Sequence, residues 1–268
     1  MARAAAHGRM DDIHFSDPVA FSLLSERGRA RVERFRTNDP RRSFVARIDD
    51  SILEARAKMM AVRTVAIDDA LRAAVTSQVV ILGAGLDSRA WRMPELSASL
   101  VFEVDRPDSQ RDKRARTQAL RCSAREVRFI PVDLTRQELD AALQAAGHDP
   151  TQPTAWIWEG VVMYLERREI EATLSVIARR ANPASRLIIA YMSPAPLAHV
   201  VRPILRLVGE PLKSLFTPDQ LRDVLRGYGF DVVSDASVAA LGGVLSPALG
   251  RATKPMRHLR IAVANRSQ

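Results

Sequence analysis

The sequence predicts an α/β fold in which helices cover both faces of a mostly parallel sheet. From residue 78 onward, short apolar runs alternate with amphipathic stretches, which is the pattern of successive strand–helix–strand units. The first apolar run leads into the turn Gly83-Ala84-Gly85, within the stretch VVILGAGLDSRAWRM (79–93). A buried strand that ends in such a turn is typical of folds in which a nucleotide-like ligand crosses the strand end.

Size and composition indicate one integrated domain. The chain has 268 residues, of which 47% are hydrophobic, enough to bury a large core. We expect a helical N-terminal extension over residues 1–75 and a sheet domain over residues 76–268. Residues 193–216 contain four prolines and interrupt the strand–helix alternation, so we interpret them as a cap insertion over the strand ends.

The apolar runs place seven strands along the chain. We predict them at residues 78–83, 100–105, 127–132, 154–159, 186–192, 230–234 and 257–264.

Helix signals lie between these runs and before the first of them. Residues 17–35 and 48–75 space apolar side chains three and four apart, as helices do. Thr135 and Glu138 resemble a capping box, and Thr217-Pro218 marks another helix start. Residues 235–255 are rich in small residues and contain two prolines, so we expect a loop or a second irregular insertion there.

Charge and cysteine usage exclude several classes of protein. The net charge of +9 comes from arginines scattered along the whole chain, and aromatics are 5%, so we expect no nucleic-acid partner. The single cysteine, Cys122, excludes internal disulfides. No run approaches the roughly 20 apolar residues of a membrane span, and residues 1–12 lack the apolar region of a secretory signal, which predicts a cytoplasmic protein without a membrane partner.

Acidic residues end three of the predicted strands. Asp105, Asp133 and Glu159 are 28 and 26 residues apart, and each follows a different apolar run. Because the carboxyl ends of parallel strands meet at one edge of the sheet, the three carboxylates and the glycine turn should share a rim.

The rim favours a cationic ligand over a dinucleotide. A dinucleotide fingerprint requires a third glycine at position 88, where this chain has Ser88, and three carboxylates would repel a pyrophosphate. The same carboxylates would attract a ligand that carries a sulfonium and an ammonium, so we infer S-adenosyl-L-methionine as the cofactor. The five histidines form no metal-ligand motif, and we expect no metal.

Four motifs in order resemble the leucine carboxyl methyltransferase family and its bacterial relatives that act on small molecules. They are LGAGLDSRAWRM, VFEVDRPDSQRDKR, PVDL and WEGVVMYL, and the resemblance covers about residues 55–235. It implies a Rossmann-like class I methyltransferase fold whose last strand is antiparallel.

The resemblance also implies roles for individual residues. Arg63 would bind the methionine carboxylate, Gly83 and Gly85 would pass beneath the methionine portion, and Asp105 would accept both ribose hydroxyls. Asp133 and Leu134 would read the adenine, and Glu159 would lie near the ammonium and sulfonium.

The acceptor side is assigned from position. Tyr164 follows the fourth strand and either lines the acceptor pocket or packs in the core. The cap insertion supplies Arg202, Arg206 and Lys213 for an anionic acceptor, and His199 is the one histidine placed to act as a base.

We therefore expect an O-methyltransferase that acts on a carboxylate of a small molecule of secondary metabolism. A carboxylate needs no base, since it is ionised at neutral pH. The alternatives are methylation of a phenolic or alcoholic hydroxyl, a nicotinamide-dependent oxidoreductase, and a non-catalytic ligand-binding regulator. The sequence leaves the oligomeric state open.

Overall fold

A computed structural model describes residues 1–10, 13–37, 43–74, 76–136, 138–194 and 212–267. Within these residues, one sheet contains seven strands, and all seven coincide with predicted strands to within a few residues. They are β1 (Gln78–Leu82), β2 (Leu100–Asp105), β3 (Glu126–Pro131), β4 (Thr154–Trp158), β5 (Arg186–Met192), β6 (Phe230–Ser237) and β7 (Leu259–Arg266).

The strand order is β3-β2-β1-β4-β5-β7-β6. Strands β1 to β5 are parallel, and β7 is antiparallel to both β5 and β6, as the class I methyltransferase fold predicts. The order in which the strands are added to the sheet reverses at β1, with β2 and β3 on one side and β4 and β5 on the other. This reversal leaves a crevice at the carboxyl end of β1.

Helices pack on both faces of the sheet. The described helices are α1 (Ala2–Ala6), α2 (Glu26–Thr37), α3 (Phe44–Arg72), α4 (Arg89–Arg92), α5 (Pro107–Thr117), α6 (Leu139–Ala145), α7 (Arg167–Arg180), α8 (Pro218–Gly227), α9 (Val238–Leu245) and α10 (Pro247–Thr253). Alternate strand residues face opposite cores. Val80 and Leu82 lie in one core with α6, α7 and α8, whereas Val79 and Ile81 lie in the other with α3 and α4.

The N-terminal region is helical as predicted, but its second helix is shorter than the pattern indicated. Helix α2 begins at Glu26 and not near Asp17. Asp17 is fully buried, and its Oδ1 accepts a hydrogen bond from the Ala20 amide at 2.9 Å, which stabilises a turn. None of the described helices is both long and apolar enough to cross a membrane.

The prediction of a loop at residues 235–255 is wrong. Helices α9 and α10 occupy most of it, and the hydroxyls of Ser237 and Ser246 accept amide hydrogen bonds at their first turns. The small residues allow the two helices to approach closely: a Cβ on Gly250 would lie 2.8 Å from the Gly243 Cα. The small residues that suggested a loop instead allow α9 and α10 to pack closely.

Candidate active site

The strand order brings the predicted rim residues to one edge of the sheet. Gly83 and Gly85 follow β1, between the ends of β2 and β4. Asp105 is the last residue of β2, Asp133 follows β3 by two residues, and Glu159 follows β4 directly. The rim therefore has Asp133 and Asp105 on one side of the glycine turn and Glu159 on the other.

The glycine turn depends on the absence of side chains. Gly83 has φ +67°, and a Cβ there would lie 2.2 Å from Cγ2 of Val161. Gly85 has φ +45° and donates its amide hydrogen bond to Asp105 Oδ2 at 2.5 Å. At these two positions, therefore, only backbone atoms separate the end of β1 from the crevice.

Asp105 is held from both sides. Its Oδ2 accepts from Gly85, and its Oδ1 accepts from the Arg106 amide at 2.7 Å. A carboxylate oxygen has room for more than one hydrogen bond, so both oxygens can still accept from a ligand.

Asp133 organises the turn after β3. Its Oδ1 accepts from the Thr135 amide at 3.0 Å and from the Thr135 hydroxyl at 2.8 Å, and these bonds lower the pKa of Asp133. The predicted capping box of Thr135 and Glu138 is wrong, because Thr135 bonds Asp133 and helix α6 begins only at Leu139. Asp133 therefore stays ionised at the rim.

A cavity of about 490 Å³ is lined by Gly83, Asp105 and Asp133 of the rim. Tyr164 and Lys213, both predicted for the acceptor side, also line it. The complete lining is Gly83, Asp105, Arg106, Val132, Asp133, Leu134, Thr135, Val161, Tyr164, Leu165 and Lys213. The Lys213 Nζ lies 3.7 Å from Glu166 Oε1, and the Lys213 amide donates to the Met163 carbonyl.

Arg63 and Glu159 meet on the other side of the glycine turn. The Arg63 Nε lies 2.8 Å from Glu159 Oε1, yet neither atom has a hydrogen-bond partner of acceptable geometry among the described residues. The Arg89 Nη1 donates to Glu159 Oε2 at 2.9 Å. Burial alone would raise the pKa of Glu159, but the two guanidiniums hold it well below its usual range.

The sequence did not reveal the partners of Arg89. This side chain is fully buried and binds Asp68 on α3 as well as Asp87 and Glu159. One signal was present in the sequence: Asp68 is the one acidic residue on a helix face that otherwise carries apolar residues and Thr64. Pairing it with Arg89 still requires the tertiary structure.

Three predicted residues, His199, Arg202 and Arg206, lie outside the described residues, as does most of the 193–216 cap. Among the described residues, no group of three or more His, Cys, Asp or Glu side chains could hold a metal ion.

The model of the leucine carboxyl methyltransferase family matches residues 1–178. The chain belongs to this family. The match begins at residue 1 and ends within α7, whereas the motifs alone indicated a resemblance over residues 55–235. It includes Arg63, the glycine turn and all three rim carboxylates.

Two bacterial proteins are similar over about two thirds of this chain. Both are named "Putative S-adenosyl-L-methionine-dependent methyltransferase". The Frankia alni protein is 38% identical over 177 residues, which are 65% of this chain and 59% of the relative. The Mycobacteroides abscessus protein is 36% identical over 204 residues, which are 72% of this chain and 63% of the relative. The chain thus spans less than two thirds of either relative.

A solved structure shares the fold over almost the whole chain. A DUF574 family protein from Streptomyces avermitilis has a TM-score of 0.62 at 15% identity and covers 99% of this chain and 96% of its own. At this identity the likeness concerns the fold alone. It agrees with the seven-stranded sheet of this leucine carboxyl methyltransferase family member.

Proposed function

We propose that this chain is an S-adenosyl-L-methionine-dependent O-methyltransferase that methylates a carboxylate of a small molecule. The observation that carries the proposal is the separation of charge along the rim. Arg63 and Glu159 form a largely buried pair of opposite charges on one side of the glycine turn, and Asp105 and Asp133 lie on the other. The names of the two relatives support the same cofactor.

The residues present fit this cofactor. Its methionine head carries a carboxylate and an ammonium, which match the guanidinium of Arg63 and the carboxylate of Glu159. Both Arg63 Nε and Glu159 Oε1 lack a well-aligned hydrogen-bond partner among the described residues, so each has capacity for a ligand. Asp105 would accept hydrogen bonds from the ribose hydroxyls, and Asp133 with the Leu134 amide would bind the adenine.

Position 88 supports this cofactor over a dinucleotide. The Ser88 hydroxyl is buried and donates to Asp17 Oδ2 at 2.7 Å. A serine with a structural partner there replaces the glycine that would bring helix and pyrophosphate together.

When bound, S-adenosyl-L-methionine supplies a methyl group on a sulfonium with a good leaving group. The chain's task is to align the acceptor oxygen with that methyl and exclude water, which supplies up to about 7–11 kcal/mol in favourable models. Arg63, Glu159 and Asp105 would hold the cofactor from both ends. Tyr164 and Lys213 in the cavity wall would orient the acceptor, and Lys213 would bind its negative charge.

A carboxylate acceptor requires fewer catalytic side chains than a hydroxyl acceptor does. It is ionised at neutral pH and attacks without a base, whereas a phenol requires one. The described cavity lining contains no histidine. His199 stays the candidate base for a hydroxyl acceptor, and Arg202 and Arg206 stay candidates for binding an anion.

Cofactor binding tests the first half of the proposal. Asp105→Ala should weaken binding of S-adenosylhomocysteine by about 1–3 kcal/mol, since the ribose loses a charged acceptor. Arg63→Ala should weaken the same binding by about 2–5 kcal/mol, since the ligand carboxylate loses its guanidinium. Isothermal titration measures both, with Asp108→Ala and Arg56→Ala on exposed helix surfaces as matched controls. Binding of NAD or NADP in place of S-adenosylhomocysteine would overturn the proposal.

Product chemistry tests the second half. The chain is incubated with methyl-labelled cofactor and a mixture of small carboxylic acids and phenols. A methyl ester releases labelled methanol under mild alkali, whereas an ether is stable. Alkali-stable product, lost in His199→Ala, would make this a hydroxyl methyltransferase.

A further inference from the structure

Arg89 connects three elements of the site. It is the first residue of α4, its side chain is fully buried, and it contacts three carboxylates. Its Nε donates to Asp68 Oδ1 at 2.8 Å, and its Nη1 donates to Asp87 and to Glu159 Oε2, the latter at 2.9 Å. Asp87 also accepts from the Arg89 amide at 2.8 Å. The guanidinium is therefore fixed in position and direction.

The two oxygens of Glu159 are held differently. Oε2 has an aligned hydrogen bond from Arg89, whose side chain is 0% exposed. Oε1 lies 2.8 Å from Arg63 Nε without an aligned hydrogen bond, and the Arg63 side chain is 15% exposed. One oxygen is enclosed by protein, and the other meets a cation that can reach the crevice.

We propose that Arg89 is a positioning residue that anchors Glu159 through Oε2, so that Oε1 can exchange Arg63 for the ammonium of the cofactor. Arg63 then turns to the cofactor carboxylate. The inference rests on the proposed function. The exchange replaces one internal ion pair by two pairs with the ligand, and Glu159 keeps its place and its charge throughout because Arg89 does not leave.

The same arginine also fixes the helix that carries Arg63. Asp68 lies five residues after Arg63 on α3, about 7.5 Å along the helix axis. Arg89 therefore ties α3 to the end of β4 close to the point where Arg63 meets Glu159. Arg92 Nη1 holds the second oxygen of Asp68 at 2.7 Å, which prevents that carboxylate from turning away.

Two ligands separate a positioning role from a general structural one. S-adenosylhomocysteine carries the amino-acid head, whereas 5′-methylthioadenosine keeps adenine and ribose but lacks carboxylate and ammonium. Arg89→Met and Arg89→Lys should weaken S-adenosylhomocysteine about 10- to 100-fold, the size seen when residues that orient metal ligands are removed. Binding of 5′-methylthioadenosine should stay within about two-fold, because Asp105 and Asp133 do not contact Arg89.

The matched control is Arg180, a buried arginine on α7 whose Nε donates to Asp140 at 2.6 Å. Its hydrogen-bond partners, Asp140 and the His148 carbonyl, are not rim residues. Arg180→Met should lower stability and leave the ratio of the two affinities unchanged. In the Glu159→Gln variant, a further Arg89→Lys change should alter the affinity for S-adenosylhomocysteine little, since the residue through which Arg89 acts has already lost its charge.

The outcomes are distinguishable. Wild-type protein that binds neither ligand would overturn the proposed function and this inference together. Wild-type binding of both, with Arg89→Lys weakening both equally or neither, would overturn the inference alone. If Arg89→Met does not fold, Arg89→Lys keeps the charge and supplies the measurement.

Discussion

Two buried glutamates flank β1 and differ in the cations around them. Glu159, after β4, meets the guanidiniums of Arg63 and Arg89, and its pKa lies well below the usual range. Glu103, on β2, meets Lys113 alone, with Nζ 2.6 Å from Oε2, and burial raises its pKa to about 7.

The difference shows what a binding carboxylate needs. One ammonium does not offset the burial of Glu103, so near neutral pH this side chain is partly protonated. Two guanidiniums keep Glu159 ionised. Glu103 and Lys113 are enclosed between β2 and α5, with Lys113 5.1 Å from the Trp91 ring centre, and serve packing. Of these two glutamates, the one kept ionised is Glu159 at the rim, where a cationic ligand would bind.

The largest expected effect is at Glu159. Glu159→Leu leaves two arginines without their shared carboxylate and should lower the free energy of unfolding by about 3–5 kcal/mol. Because the folded-state pKa is lowered, the carboxylate's contribution is fully present above the unfolded pKa and is lost only at strongly acidic pH. The loss should therefore be equal at pH 5.5 and pH 8 in urea denaturation.

Glu171→Leu on the surface of α7 is the control for this comparison. Glu171 forms an exposed pair with Arg167, and its loss should cost at most about 1 kcal/mol. If Glu159→Leu lowers the free energy of unfolding no more than this, the ion pairs of Glu159 with Arg63 and Arg89 do not stabilise the fold more than an exposed pair does.

A smaller effect, which unlike that of Glu159 changes between pH 5.5 and pH 8, is expected at Lys113. Lys113→Met removes the partner that opposes the raised pKa of Glu103. A raised carboxyl pKa favours the folded state below the unfolded pKa, and this contribution is lost as pH rises through about 7. The variant should therefore lose more stability relative to wild type at pH 8 than at pH 5.5. Equal losses at both pH values would contradict the raised pKa.

The smallest effect concerns His148, a buried base at the opposite end of the sheet. Burial lowers its pKa to about 4, and its ring packs against Phe102 and Trp156. Since the folded state disfavours the charged form, wild-type stability should fall as pH drops from about 6.5 to 4. His148→Phe should remove this part of the slope, and His14→Phe at an exposed position should retain it.

The sheet could be predicted from the sequence because its central strands β1, β2, β4 and β5 are buried on both faces. Short continuous apolar runs such as VVIL at the first strand are typical of strands in a parallel sheet. The acidic residues that end these runs lie at one rim because the carboxyl ends of parallel strands share one edge of the sheet. Asp105, Asp133 and Glu159 were predictable in position for this reason.

The pairing of charges could not be predicted. Asp68, Arg89 and Glu159 come from three separate segments, and this chain has many arginines that could pair with any of them. The hydrogen-bond partner of Thr135 could not be predicted either. Its sequence context matches a helix cap, but its amide and hydroxyl donate to Asp133. Tertiary contacts decide between partners that look equivalent in sequence.

The most direct test of the account is the affinity for S-adenosylhomocysteine measured by titration calorimetry from pH 5 to pH 8. If two guanidiniums keep Glu159 ionised to receive the ligand ammonium, the dissociation constant should vary by no more than about two-fold across this range. An affinity that falls steadily as pH drops through about 7, or no binding at any pH, would contradict it.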